Sequence, residues 1–200
     1  MYTKLSIVIS VILVTAAILT AQSSMLQPSY AQLDATSQTA ILDMHNRERT
    51  AVNVNPPVPQ VTWSASLATD AQNWANYLAS LNLRPYRPPD LGELPPHSDW
   101  RTNGNQGENL AWGARGAFTP ATLAQGWADE KSNCFPGCTI PADGSLQQSP
   151  TPPYRVFGHY TQMVWRATTQ IGCGLASDAN QDYLVCRYSP SGNYRGQAAY

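Results

Sequence analysis

The sequence predicts an α+β domain in which helices layer against a sheet that closes late in the chain, and three observations carry that prediction. Leu67, Ala71, Trp74, Ala75 and Leu78 recur at i, i+4, i+7, i+8 and i+11, the spacing of an apolar stripe on a helix. Thr119 followed by Pro120 is a helix cap with a first-turn proline, opening TLAQGWADEKSN as another helix. IGCGLA and DYLVCRY, residues 171–176 and 182–188, are strand-like runs joined by the short polar segment SDANQ, as in a hairpin. Helices on both sides of such strands make a layered α+β domain.

The elements follow in chain order. Lys4 precedes an uncharged apolar stretch, residues 5–22, and the small residues Ser29 and Ala31 are spaced for signal cleavage before Gln32. Residues 1–31 thus read as a signal peptide. Retention as a membrane anchor is the alternative, the stretch being close to the lower limit of roughly 17 residues for a spanning helix. Residues 32–200 are then one exported domain, in the medium or at the cell surface if the segment is retained. In the polar lead-in QLDATS, Thr36 or Ser37 caps a helix running to about Val52, with Ile41, His45, Glu48 or Arg49 and Val52 on one side. Ser64 caps the helix that carries the apolar stripe. Residues 84–96 hold five prolines and form a loop that delivers His97 and Ser98. TNGNQGENLAWG turns into a short apolar segment, and on the following helix Leu123, Trp127 and Glu130 share a face, which places a carboxylate on a stripe that should be buried. HYTQMVW supplies one or two helical turns. Trp74, Trp112, Trp127 and Trp165 read as core, each lying in an apolar stretch.

A formal net charge of −1, two lysines and no basic run remove the electrostatic footprint of nucleic-acid binding. Four cysteines in two close pairs in an exported chain read as two disulfides. Cys173 and Cys186 face each other if the two strands pair. Cys134 and Cys138, in NCFPGC, have the wrong spacing for a zinc knuckle and pair by proximity.

No nucleophile elbow, H-E-x-x-H helix, phosphate loop or unpaired cysteine is visible. The chain has three histidines and four glutamates, so those in apolar or turn-framed contexts carry information. These are His97 between Pro96 and Ser98, Glu108 between Gly107 and Asn109, Glu130 on its apolar face, and His159 between Gly158 and Tyr160. Taken singly, each has a structural reading as a buried polar group satisfied by backbone partners.

Taken together, GHYTQMVW, IGCG and YLVCRYSPSGNYRG, with HNRER, HS, GENLAW and WADE in order before them, resemble the CAP superfamily of cysteine-rich secretory, antigen 5 and pathogenesis-related 1 proteins. The resemblance spans most of residues 38–198. It implies a three-layer α-β-α sandwich with a central antiparallel sheet and a cleft where His97, Glu108, Glu130 and His159 meet. It also implies a divalent metal, zinc above all, between His97 and His159, with the glutamates at or near it; a hydrogen-bonded cluster without metal is the alternative. His45 matches a position read as structural. Tyr160, Tyr188 and Tyr194 border the cleft by the same resemblance. Cys173 and Cys186 match family positions, whereas Cys134 and Cys138 depart from them, and no cysteine-rich module follows Tyr200, so channel activity is not expected.

The resemblance points to a secreted, non-enzymatic module that binds lipid, sterol or a surface partner. A metal-dependent hydrolase with Glu108 or Glu130 as general base, and a cell-envelope adhesive protein, are the alternatives. Membrane contact is expected only through the N-terminal segment.

Overall fold

The first helix starts two residues earlier than a cap at Thr36 would place it. In the computed structural model, which describes residues 33–85, 92–134, 136–146 and 155–200, Asp34 is the N-cap of α1 (Ala35–Ala51). Its Oδ1 accepts the Ser37 amide at 2.7 Å, and Thr36 and Ser37 lie inside the helix. The residues read as a signal peptide, 1–31, and the cleavage point before Gln32 lie outside the described residues. Among the described residues no helix is long and apolar enough to cross a membrane.

After β1 (Thr62–Trp63), Ser64 caps α2 (Ala65–Ser80), as its stripe predicts. Next come β2 (Gly107–Ala114), α3 (Pro120–Asp129), α4 (Gly158–Met163), β3 (Gln170–Ser177) and β4 (Gln181–Ser189). The strands form one sheet in the order β1-β3-β4-β2. β3, β4 and β2 are antiparallel; β1 adds two residues in parallel at the edge of β3. The described parts of the proline-rich loop contain no helix or strand, in keeping with five residues that cannot donate a backbone hydrogen bond.

Two cores separate three layers. On one face, Ala71, Ala75, Leu78 and Ala79 of α2 pack on Leu110, Ala176, Tyr183 and Val185. On the other, Ile41 and Met44 of α1, Trp127 of α3 and Tyr160 and Met163 of α4 pack on Ile171, Leu184 and Tyr188. The result is the α-β-α sandwich the family resemblance implies. Its tightest point explains IGCG: a Cβ on Gly172 would run into the backbone of Ala68, and one on Gly174 into that of Gln72. Only glycine lets α2 lie this close to β3.

Both disulfides form. Cys173 and Cys186 are directly opposed in the β3–β4 register with Cα atoms 4.1 Å apart, and Cys134 bonds Cys138 across the Pro136-Gly137 turn. The hairpin is closed by Asp178, whose Oδ1 accepts the amides of Asn180 and Gln181 at 2.7 Å, an Asx-type turn. Below α4, the buried Arg49 guanidinium donates to the carbonyls of Met163, Trp165 and Thr168 at 2.9 Å and also to that of Pro59. Burial, together with the nearby Arg166 charge, lowers its pKa to about 10.

Candidate functional site

His97 reaches the site on the loop before β2, and α2 fixes where that loop lies. The Trp74 indole N–H donates to the Pro96 carbonyl at 3.3 Å, pinning the chain one residue before His97. His97 itself is largely exposed, but its Nδ1 donates to Glu108 Oε1 at 2.7 Å. Glu108, at the start of β2, is nearly sealed. Its Oε1 also accepts the Ser98 amide at 3.0 Å, and its Oε2 accepts the Ser98 hydroxyl at 2.9 Å and is ion-paired with the Arg187 guanidinium, N···O 2.9 Å. Arg187 is the cross-strand neighbour of Glu108 on β4 and is 3% exposed. Burial pushes the Glu108 pKa up, yet the bonds from His97 and Ser98 and the Arg187 charge together hold it below the ordinary value. A carboxylate with three hydrogen-bond donors and an ion-paired guanidinium is an anchor for its neighbours.

Glu130 is placed by a change of helix type. α3 ends at Asp129, and residues 130–133, expected as continuous helix, tighten to a 3-10 turn. The reason is tertiary: from this position Glu130 Oε1 accepts His159 Nδ1 at 2.6 Å, while Oε2 accepts the backbone amides of His159 and Tyr160 at 2.9 and 3.2 Å. One carboxylate thus caps α4 and fixes the histidine ring on it. Trp127 stacks on that ring with centroids 6.2 Å apart and planes at 24°. The face predicted for Leu123, Trp127 and Glu130 is real: with Leu110, Phe118 and His159 they line one hollow of about 320 Å³. Its walls are apolar and the His159–Glu130 pair lies among them.

Beneath the pair runs a fully buried relay. His45 Nδ1 donates to the Ile41 carbonyl at 2.8 Å, which leaves Nε2 to accept the Tyr188 hydroxyl at 2.9 Å. Tyr188 in turn accepts from Asn109 Nδ2 at 3.1 Å, and the same amide donates to the His159 carbonyl at 3.1 Å. Burial lowers the His45 pKa to about 4, so this imidazole stays neutral at physiological pH. His45 therefore braces α1 against the sheet. The tyrosines expected at the cleft edge differ: Tyr160 and Tyr188 are core residues and only Tyr194 is exposed, its ring 6.0 Å from Trp165. Trp127 and Trp165 are core as expected, whereas Trp74 is half-buried and Trp112 is 36% exposed.

The four predicted site residues come together as two pairs, His97–Glu108 and Glu130–His159. Among the described residues no cluster of three or more His, Cys, Asp or Glu side chains converges on a point that could hold a metal ion. The donor chemistry is nonetheless suited to one. In each pair a carboxylate takes Nδ1–H, which fixes the tautomer and leaves the Nε2 lone pair without a hydrogen-bond partner among the described residues. Sequence reasoning did not single out Arg187, although an arginine within the apolar run YLVCRY was a signal that this strand buries a charge.

The family model of the cysteine-rich secretory protein family (CAP) matches residues 42–188. Pathogenesis-related protein 1A of Nicotiana tabacum is 36% identical over 165 residues, covering 82% of this chain and 81% of that protein. Human cysteine-rich secretory protein 2 is 34% identical over 163 residues, covering 78% of this chain and 57% of that longer protein. Among solved structures, that of NaASP2 with Zn2+ superposes with a TM-score of 0.63 at 22% identity, covering 84% of this chain and 86% of that one. Na-ASP-1 superposes with a TM-score of 0.65 at 22% identity, covering 88% of this chain and 44% of that one. With the motifs in register, the sandwich in place and these relatives along most of its length, the chain belongs to the CAP superfamily.

Proposed function

We propose that this protein is a secreted CAP-domain binding module. His97 and His159 hold a divalent metal of the zinc class through Nε2, and the apolar hollow beside His159 receives a lipid or sterol group. The observation that carries the reading is the shared wiring of the two histidines: each gives Nδ1–H to a carboxylate and keeps Nε2 without a hydrogen-bond partner among the described residues, the outer-shell arrangement that orients metal-binding imidazoles. A bound zinc ion would supply a Lewis-acidic centre with positions open to solvent or ligand. The protein's own part is to hold the two rings in one tautomer, with Glu108 and Glu130 behind them as the acceptors of Nδ1–H. That the NaASP2 structure was solved with Zn2+ supports the choice of metal, and the name of the human relative supports secretion.

Binding is favoured over hydrolysis by the state of the carboxylates. Glu108 accepts three hydrogen bonds and is ion-paired with Arg187, and Glu130 accepts three, two of them from backbone amides that a general base would have to abandon along with the α4 cap. Calorimetric titration of the metal-stripped protein with zinc tests the proposal. One equivalent is expected to bind in the wild type and none in His97→Ala or His159→Ala. Wild-type protein that takes up no zinc, or alanine variants that bind it unchanged, would overturn the assignment.

A further inference from the structure

The connection between β2 and α3 exposes more apolar and aromatic surface than an ordinary solvated turn. Residues 111–128 contain one charged side chain, that of Arg115, and no carboxylate. Residues 114–119 are all exposed, and Trp112 and Phe118 are 36% and 50% exposed. Both aromatic residues also line the apolar hollow beside His159, so its mouth opens where they meet solvent. Phe118 owes its place to a glycine. A Cβ on Gly113 would lie 2.7 Å from Phe118 Cδ2, and its absence lets the ring rest on β2.

The backbone of the turn is bonded within the protein. The Arg115 amide donates to the Asn180 carbonyl at 2.8 Å, the Gly116 amide to Asp182 Oδ2 at 2.7 Å and the Ala117 amide to the Ala114 carbonyl at 3.0 Å. These amides can leave water without being stranded. The two acidic residues beneath the turn face inward: Asp178 takes the Tyr183 hydroxyl and Asp182 the Ser177 hydroxyl, and each is 9% exposed. Arg115 Nη1 donates to the Asp178 carbonyl at 3.1 Å, and the guanidinium keeps further donors for an outside acceptor such as a phosphate.

A protein partner of ordinary stability covers about 800 Å² and roughly 20–30 residues on one side. A single turn with two aromatic side chains is too small for that. A membrane surface asks for less: aromatic rings at headgroup depth, amides bonded internally and a cation for the lipid phosphates. The turn supplies all three.

From this we infer that the β2–α3 turn docks on the surface of a lipid bilayer, seating Trp112 and Phe118 at the headgroup level with the mouth of the hollow against the lipid. The inference rests on the reading of that hollow as the seat of a lipid or sterol group and names the source from which it is filled.

Quenching of tryptophan emission by vesicles of dibrominated phosphatidylcholine tests this on the intact protein. Residues 1–31 contain no tryptophan, so the signal reports on the folded domain. The wild type should be quenched, and Trp112→Phe, which keeps an aromatic ring for docking, should lose most of the effect. Phe118→Ser should raise the lipid needed for half-maximal quenching about tenfold while retaining a cooperative thermal transition. Trp100→Phe, at an equally open position on the loop before the opposite end of β2, should be quenched as the wild type is. Absence of quenching at about 1 mM lipid overturns the inference and leaves the turn to a protein partner. Quenching that survives Trp112→Phe in full, or that Phe118→Ser does not alter, overturns it too. Uptake of a fluorescent sterol from cyclodextrin, without vesicles, separates the docking from the reading it rests on. Uptake without quenching keeps the hollow and refutes the docking; quenching without uptake keeps the docking and refutes the hollow as a lipid seat.

Discussion

Replacing Arg187 by methionine isolates the charge that lies behind Glu108. The side chains of the pair are 3% and 6% exposed, and their contact is an ion pair with Arg187 Nη2 2.9 Å from Oε2. Methionine fills much the same volume, so what is lost is the cation, and the carboxylate stays buried with only His97 and Ser98 as partners. Breaking a buried pair from one side costs about 3–5 kcal/mol. For a domain of this size that lowers Tm by roughly 6–20 °C. The pH dependence supplies the sharper test. In the wild type the folded-state pKa of Glu108 is depressed, so its contribution to stability is present above the ordinary carboxylate value and is lost as pH falls through the folded one. In Arg187→Met, burial, the largest influence and one that raises the pKa, is less opposed, and Glu108 protonates at a higher pH. The deficit of the variant should therefore be widest near neutrality and should narrow as pH is lowered through the carboxylate range. Urea unfolding at a series of pH values measures it. A loss below about 1 kcal/mol at pH 7, or a deficit independent of pH, would refute the argument that Arg187 exists to hold Glu108 ionised.

Three further substitutions follow from the packing. Arg49→Met strands the carbonyls of Pro59, Met163, Trp165 and Thr168, and should cost upward of about 3 kcal/mol in chemical denaturation, because each buried acceptor loses its donor. Gly174→Ala drives a methyl group into the Gln72 backbone and should destabilise by about 1–3 kcal/mol, read as an earlier thermal transition. The double change Cys173→Ser and Cys186→Ser frees a link spanning 13 residues and should lower stability by about 3 kcal/mol, read in chemical denaturation.

The parts of this molecule that were legible from sequence are those specified by local chemistry. The α2 stripe shows because its residues repeat with the helical period, and the start of α3 shows because Thr119 and Pro120 are a cap and a first-turn residue side by side. The four candidate residues stand out because each lies in its own motif, and the structure joins them as two pairs. What stayed hidden depends on partners distant in sequence. The end of α3 is set by His159 and Tyr160, whose amides draw Glu130 out of regular helix, and nothing in WADEKSN announces that. Arg187 meets Glu108 only through the register of β2 against β4. Thr36 or Ser37 reads as the cap of α1, yet Asp34, also a good N-cap by propensity, takes that place, and local sequence does not rank it above Ser37. Trp112 carries the sequence context of a core residue but lies on the edge strand beside the apolar hollow.

Glu130→Gln separates the two jobs of one carboxylate. The backbone amides of His159 and Tyr160 require an acceptor at the position of Oε2, so a glutamine must place its carbonyl oxygen there and keep the cap. Its NH2 group then takes the position of Oε1, opposite His159 Nδ1. A donor facing Nδ1 forces that nitrogen to accept, and the neutral ring moves its hydrogen to Nε2. The fold should persist, with stability changed by no more than about 1 kcal/mol, since the number of hydrogen bonds is conserved. The Nε2 lone pair, however, is gone. Zinc affinity should fall by about 10–100-fold, the usual effect of losing an outer-shell carboxylate, and the ¹⁵N shifts of His159 should exchange between the two ring nitrogens even without metal. If the shifts exchange and zinc binding is unaltered, His159 does not bind metal through Nε2. If the shifts do not exchange, Glu130 does not set the tautomer, and the shared wiring of the two histidines loses its meaning as a metal-binding arrangement.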